Sequence, residues 1–259
     1  MTGMTTTAEA SASTTRMPGD GWRMLVRGIG QLLITLGIVI LLFVVYELWV
    51  TGLYTKAQQH KLLNRITQDW LGQKGLGEIS TQNPRVAHIP LGSGVAILRI
   101  PRFGKNYQMV IVEGTGYSDL QKGPGHYPGT AFPGQVGNFA VAGHRTTYDA
   151  PFNRIDTIRR GDAIVLETKT MWFTYRAEDT PATKGYPRVP YQEIVSPSDV
   201  AVAYPVPDQP NPDAKPSLKM LTFTSCNPKY SAAQRIVVHA VLTQALRKGP
   251  GVVPPALRG

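Results

Sequence analysis

Cysteine is almost missing from this chain. One thiol, Cys226, occurs in 259 residues. No internal disulfide can form, and no His/Cys/Asp cluster at ligand spacing accompanies the thiol to suggest zinc or another metal. No cofactor is expected, and no segment repeats another. A net charge of +10 invites a nucleic-acid reading, but basic runs and basic–aromatic interleaving are both lacking. The scattered bases suit an anionic surface instead, either lipid headgroups or cell-wall polymer. The scarcity of thiols also fits an export compartment, where spare thiols are a liability.

Long apolar runs are rare too, with one exception. Residues 28–46 carry no charge, and the run continues through Glu47 into Leu48, Trp49 and Val50. About 20 apolar residues at roughly 1.5 Å each span a bilayer core. A secretory signal would be shorter and would end in small residues. Here Tyr46, Trp49 and Tyr54 read as an interfacial aromatic belt. The expectation is a retained, single-pass membrane anchor. Arg16, Arg23 and Arg27 precede the run, whereas Lys56, Lys61 and Arg65 follow it, so the charge rule is close to a tie. The N-terminus is assigned to the cytoplasm because Arg23 and Arg27 lie nearest the run. The globular part is then extracellular.

Residues 1–20 are rich in Thr, Ser, Ala and Gly and have little to build a core from. Residues 51–70 carry a polar helical pattern with Leu62 or Leu63, Ile66 and Trp70 on one face. A linker follows. The chain is therefore divided into a disordered tail (1–27), an anchor (28–50), a stalk helix and linker (51–87), a folded domain (88–246) and a disordered Pro/Gly tail (247–259).

The folded part, of about 160 residues, is long enough for one real core. Apolar or alternating runs recur at 95–100, 107–112, 138–142, 163–168, 171–177, 218–224 and 236–243. Pro/Gly turns such as GPGHYPGTAFPGQ separate them. Short strands with such turns argue for an all-β barrel or sandwich. Short helices are expected around 117–120 and 150–156.

Cys226 closes one of these runs. Asn227, Pro228, Lys229 and Tyr230 follow as turn formers, and Arg235 opens the next run. Two readings of the cysteine stand. It is either a small buried apolar side chain or a nucleophile presented at a strand end. Of the five histidines, His60 lies in the stalk, His88 at the domain edge, His126 in a turn and His239 within an apolar strand. His144 follows the run NFAVAG, so its imidazole stands at a sheet end as the thiol does. By spacing alone, both His144 and Arg235 can equally be surface residues.

Taken together, AVAGHRTTYDAPF and LTFTSCNPKYSAAQRIVVHA resemble the sortases, membrane-anchored cysteine transpeptidases of Gram-positive bacteria. LRIPRFGKNYQMVIVEGTG and LQKGPGHYPGTAFPGQVGNFAVAGHR are similar to the actinobacterial class E members in particular. The resemblance implies a closed eight-stranded β-barrel. It also implies Cys226 as nucleophile, His144 as general acid and base, and Arg235 as the donor to the oxyanion. Tyr127 and Ser225 are implied as substrate contacts. A tyrosine in this region is linked in class E to a preference for LAxTG over LPxTG signals. Ser225 replaces a threonine of the usual TLTTC, keeping a hydroxyl and losing a methyl.

The implied reaction cleaves a C-terminal sorting signal between Thr and Gly through a thioester and transfers the protein to an amine. The implied partners are secreted proteins bearing that signal, a cell-wall precursor amine and the membrane, with no nucleic acid. Two other functions fit the same features. One is a cysteine transpeptidase acting on peptidoglycan stem peptides. The other is a non-enzymatic, membrane-tethered wall-binding module.

Overall fold

A computed structural model describes residues 20–71, 89–181 and 186–258. Most of the expected N-terminal tail, the linker at 72–87 and His88 lie outside the described residues. The chain forms two compact units, residues 1–46 and residues 47–259. The first holds α1 (Asp20–Val45). Within residues 21–45 an 18-residue stretch has a mean hydropathy of 2.6, and none of it is buried by protein. Leu32, Leu33, Ile40, Leu41, Leu42 and Phe43 are all exposed. Left in water, such surface costs about 25 cal/mol per Å². The helix is long and apolar enough to cross a membrane, as an anchor requires.

The second unit is built around strands β1 (Gly94–Arg99), β2 (Gln108–Glu113), β3 (Gly125–His126), β4 (Gly137–Ala142), β5 (Ala163–Glu167), β6 (Met171–Arg176), β7 (Gln192–Val195), β8 (Lys219–Asn227) and β9 (Gln234–Arg247). Eight of them close a barrel in the order β6-β5-β1-β2-β3-β4-β8-β9, with β9 returning to β6. Closure leaves no free edge in the ring. The length of β9, 14 residues, lets it serve two neighbours. Residues 235–238 pair with β7, and residues 241–247 pair with β6. The barrel expected from the sequence is thus present, with β7 added along the part of β9 that β6 leaves unpaired.

Alternation decides which residues fill it. Leu221 and Phe223 of β8, Phe139 and Val141 of β4, and Ile236, Val238 and Ala240 of β9 all join one core cluster. Each fully buried large side chain is worth about 1.5–3 kcal/mol. The intervening residues point the other way. Thr222, for example, bonds Asn138 and His239 on the outer side.

Helix α2 (Thr51–Leu71) belongs to this second unit. Its apolar stripe, Leu62 and Ile66, packs on Ile97, Val110 and Val112, which are outward residues of β1 and β2. Polar ties fix it further. Gln59 Nε2 donates to the carbonyls of Val110 and Lys122, and Gln59 Oε1 accepts from the Val110 amide. The expected short helix is α3 (Tyr117–Leu120). The second one shrinks to a 3-10 turn at Ile155–Thr157. The terminal segment, expected to be patternless, returns to the barrel. Lys248 Nζ lies 2.7 Å from Glu167 Oε1 and 4.4 Å from the centre of the Trp70 ring, and Pro254 is buried.

Candidate active site

β4 and β8 run parallel, with Ala142 beside Thr224 as their last pair. The Gly143 amide donates to the Thr224 carbonyl at 3.1 Å. Two residues further along each chain stand His144 and Cys226. On the other side of β8, Cys226 lies directly opposite Arg235 of β9. Strand alternation puts all three on the face away from the core, and neighbouring strands are about 4.8 Å apart. The thiol, the imidazole and the guanidinium therefore spring from three adjacent strands at one rim of the barrel. Cys226 is only half-buried. Of its two readings, burial in apolar packing is not what the structure shows.

The ground under His144 is specific. The Phe152 amide donates to the His144 carbonyl at 3.0 Å, bringing the Phe152 ring beneath the strand end. A Cβ on residue 143 would lie 2.5 Å from that ring, so glycine is needed there. The imidazole packs on Tyr148, with ring centres 4.9 Å apart. Its Nε2 is buried without a hydrogen-bond partner. Burial pushes the pKa below its ordinary value of 6.5. The ring is therefore neutral at neutral pH.

Arg235 is half-exposed. Its Nη1 donates to the Ala232 and Gln234 carbonyls, both at 3.0 Å. Among the described residues, its Nε and Nη2 have no partner. Tyr127 is close by: its hydroxyl lies 2.9 Å from Thr224 Oγ1, and Thr224 shares a face with Cys226. Ser225 is different. Adjacent to Cys226, it points to the opposite face, is buried and donates to the Gly143 carbonyl at 2.8 Å. It ties β8 to the residue before His144, where a substrate contact was expected.

Several residues at the rim escaped sequence reasoning. Arg145 is 4% exposed. Its Nη1 donates to the Cys226 carbonyl at 3.2 Å and to Asn227 Oδ1 at 2.8 Å. Its Nη2 lies 3.2 Å from Asp156 Oδ1. Asn153 Nδ2 donates to the Arg145 carbonyl, and Lys229 Nζ donates to Asn153 Oδ1. The loop bearing the histidine is thus stitched to the hairpin bearing the cysteine. The only signal in the sequence is that an arginine follows His144 directly.

One histidine–carboxylate group also forms from distant parts of the chain. Ligand atoms of Glu193, Asp208 and His239 lie within 4.8 Å of one another, close enough to hold a metal ion. His239 Nε2 is paired with Glu193 Oε1 at 3.0 Å. Burial, and then the nearby Glu193 charge, raises the pKa of Asp208.

The chain is similar to known proteins of one family. The family model described as "Sortase domain" matches residues 98–243. Sortase SrtE1 of Streptomyces coelicolor is 32% identical over 87% of this chain, and the match spans 59% of SrtE1 itself. Sortase SrtE2 of the same organism is 30% identical over 93% of this chain and 90% of its own length. Among solved structures, the SrtF sortase of Corynebacterium diphtheriae superposes with a TM-score of 0.61 and 36% identity, covering 68% of this chain and 98% of that one. The chain belongs to the sortase family, among the class E sortases.

Proposed function

We propose that this protein is a cysteine transpeptidase that cleaves a C-terminal LAxTG- or LPxTG-like sorting signal between Thr and Gly. It transfers the shortened protein to a cell-wall precursor amine. The observation that carries this reading is the meeting of His144, Cys226 and Arg235 on one face at three neighbouring strand ends. The partly exposed thiol and the free Nε2 of His144 support it. The apolar α1 supports an anchor, with the N-terminus assigned to the cytoplasm and the barrel to the outside.

Neutral His144 takes the Cys226 proton, and the thiolate attacks the Thr carbonyl carbon. A C–S bond forms and the carbonyl oxygen becomes an oxyanion. Arg235 can meet it through Nε and Nη2; one such donor is worth about 3–4 kcal/mol of barrier. The C–N bond then breaks, and the His144 imidazolium protonates the departing glycine amine, leaving a thioester. An incoming amine attacks that thioester and loses a proton to His144. Cys226 leaves as thiolate and recovers a proton, and an amide has been exchanged for an amide. Tyr127 contacts the signal, a reading supported by its hydroxyl beside Thr224 Oγ1.

The test uses the full chain in detergent micelles with an LAxTG peptide and an amine. Mass spectrometry should find an acyl adduct on Cys226 and, afterwards, the amine-linked product. Hydroxylamine-dependent cleavage that survives Cys226→Ala would overturn the assignment.

A further inference from the structure

Beyond His144 the backbone takes an unusual path. Tyr148, Asp149 and Ala150 have φ values of +52°, +58° and +40°. Three consecutive non-glycine residues are left-handed, at about 1–2 kcal/mol each. Such a turn persists only where its surroundings over-determine it. The internal bonds are few: the Ala150 amide donates to the Thr147 carbonyl, and the Asn153 amide to that of Ala150.

The remaining support comes from α2 and α3. Lys56 Nζ of α2 lies 3.7 Å from Asp149 Oδ1. At Gly52 the helix passes beside the turn, where a Cβ would make an ordinary 3.9 Å contact with the Asp149 amide nitrogen. Buried Thr55 donates to the Gln121 carbonyl at 2.7 Å, and Gln121 Nε2 donates to the Tyr148 hydroxyl at 3.0 Å. Tyr117 of α3 shares a 2.7 Å hydroxyl–hydroxyl bond with Tyr148 and meets its ring edge-on.

Tyr148 in turn is the ring against which His144 packs. Among the described residues, neither nitrogen of His144 has a hydrogen-bond partner. A general base is ordinarily aimed by a third group bonded to its far nitrogen; here packing has to do it. We propose that Tyr148 is the positioning residue of His144, and that α2 holds Tyr148 in place through Gly52, Thr55 and Lys56. The segment between the apolar helix and the barrel is then part of the reaction centre. This rests on the sortase chemistry assigned to His144.

The experiment compares full-length wild type with Lys56→Glu, with Lys56→Glu/Asp149→Lys, and with Tyr148→Leu, all in micelles. Lys56 is mostly exposed, so Lys56→Glu folds even if the tyrosine variant does not. It sets like charges together at Asp149. Expected is a kcat about tenfold lower, with KM for the signal peptide nearly unchanged, because small misplacements of a base are costly. The His144 ring resonances, read by NMR on histidine-labelled protein, should shift, and the charge swap should restore both readouts. Unchanged kcat and unchanged resonances in Lys56→Glu overturn the proposal. A wild type without thiol-dependent cleavage overturns the sortase reading instead, and the ring resonances still decide the positioning.

Discussion

In the barrel wall, His126 is fully buried between Phe132 and Phe139. Its Nδ1 lies 2.7 Å from Glu113 Oε2, and its Nε2 faces Thr130 Oγ1 and the Ala131 carbonyl. His239 is satisfied in the same way. Asn138 turns its amide nitrogen to the Val202 and Tyr204 carbonyls, so its oxygen accepts from Thr222. Thr222 must then accept from His239 Nδ1, while Nε2 faces Glu193. At the rim, His144 is partly exposed and its Nε2 has no partner. Wall histidines use both nitrogens to hold strands together. Among the described residues the rim histidine leaves both unpaired, and a free nitrogen is what proton transfer needs.

The largest effects should fall on opposite observables in the two regions. At the rim, Cys226→Ala should lower the transfer rate by on the order of 10⁴-fold or more, and His144→Asn should come close to it, because such groups act as a unit. The thermal midpoint should barely move in either. A His144→Asn variant that unfolds easily would erase the distinction. In the wall, His126→Gln disturbs the buried hydrogen bond to Glu113, at about 1–3 kcal/mol of stability. The fraction still folded should keep its turnover. Denaturant midpoints and active-site titration together check this.

The two arginines of the rim extend the comparison. Arg235→Ala should lower kcat by about 10²–10³-fold with little loss of stability, as for an oxyanion donor. Arg145→Met should lower the midpoint as well, because Asp156 and Asn227 lose the cation between them. Equal effects of both variants on both readouts would mean that Arg235 is merely structural.

How much of this was legible depended on periodicity. The run that became β8 alternates, and those that became β4 and β9 are short apolar runs, so the placement of Cys226, His144 and Arg235 at strand ends could be read directly. β3 has two residues in a stretch of Gly and Pro, and β7 is short and half-exposed. Neither has a period to detect. Ser225 was implied as a substrate contact by the resemblance alone; one residue along a strand reverses the side chain, and here it bonds the Gly143 carbonyl. The stripe on α2 was visible, but its partners Ile97 and Val110 lie on the outer faces of strands known only by their inner ones. Arg145 and Tyr148 sit in a loop, where spacing carries no information about contact.

The smallest effect separates rim from wall by proton binding. Burial holds the His144 pKa below 6.5. A base with a lowered folded value binds fewer protons in the native chain than in the unfolded one. Its contribution to stability is full above the ordinary value and is lost as pH falls below 6.5 towards the folded value. Partial exposure keeps the amount modest. The acid limb of kcat/KM should likewise lie below 6.5, since the reaction starts from a neutral ring. Urea midpoints at about pH 7.5 and about pH 5 should fall further in wild type than in His144→Asn. If both chains lose the same amount on acidification, the imidazole titrates as it would in water, and the rim has no hold on it.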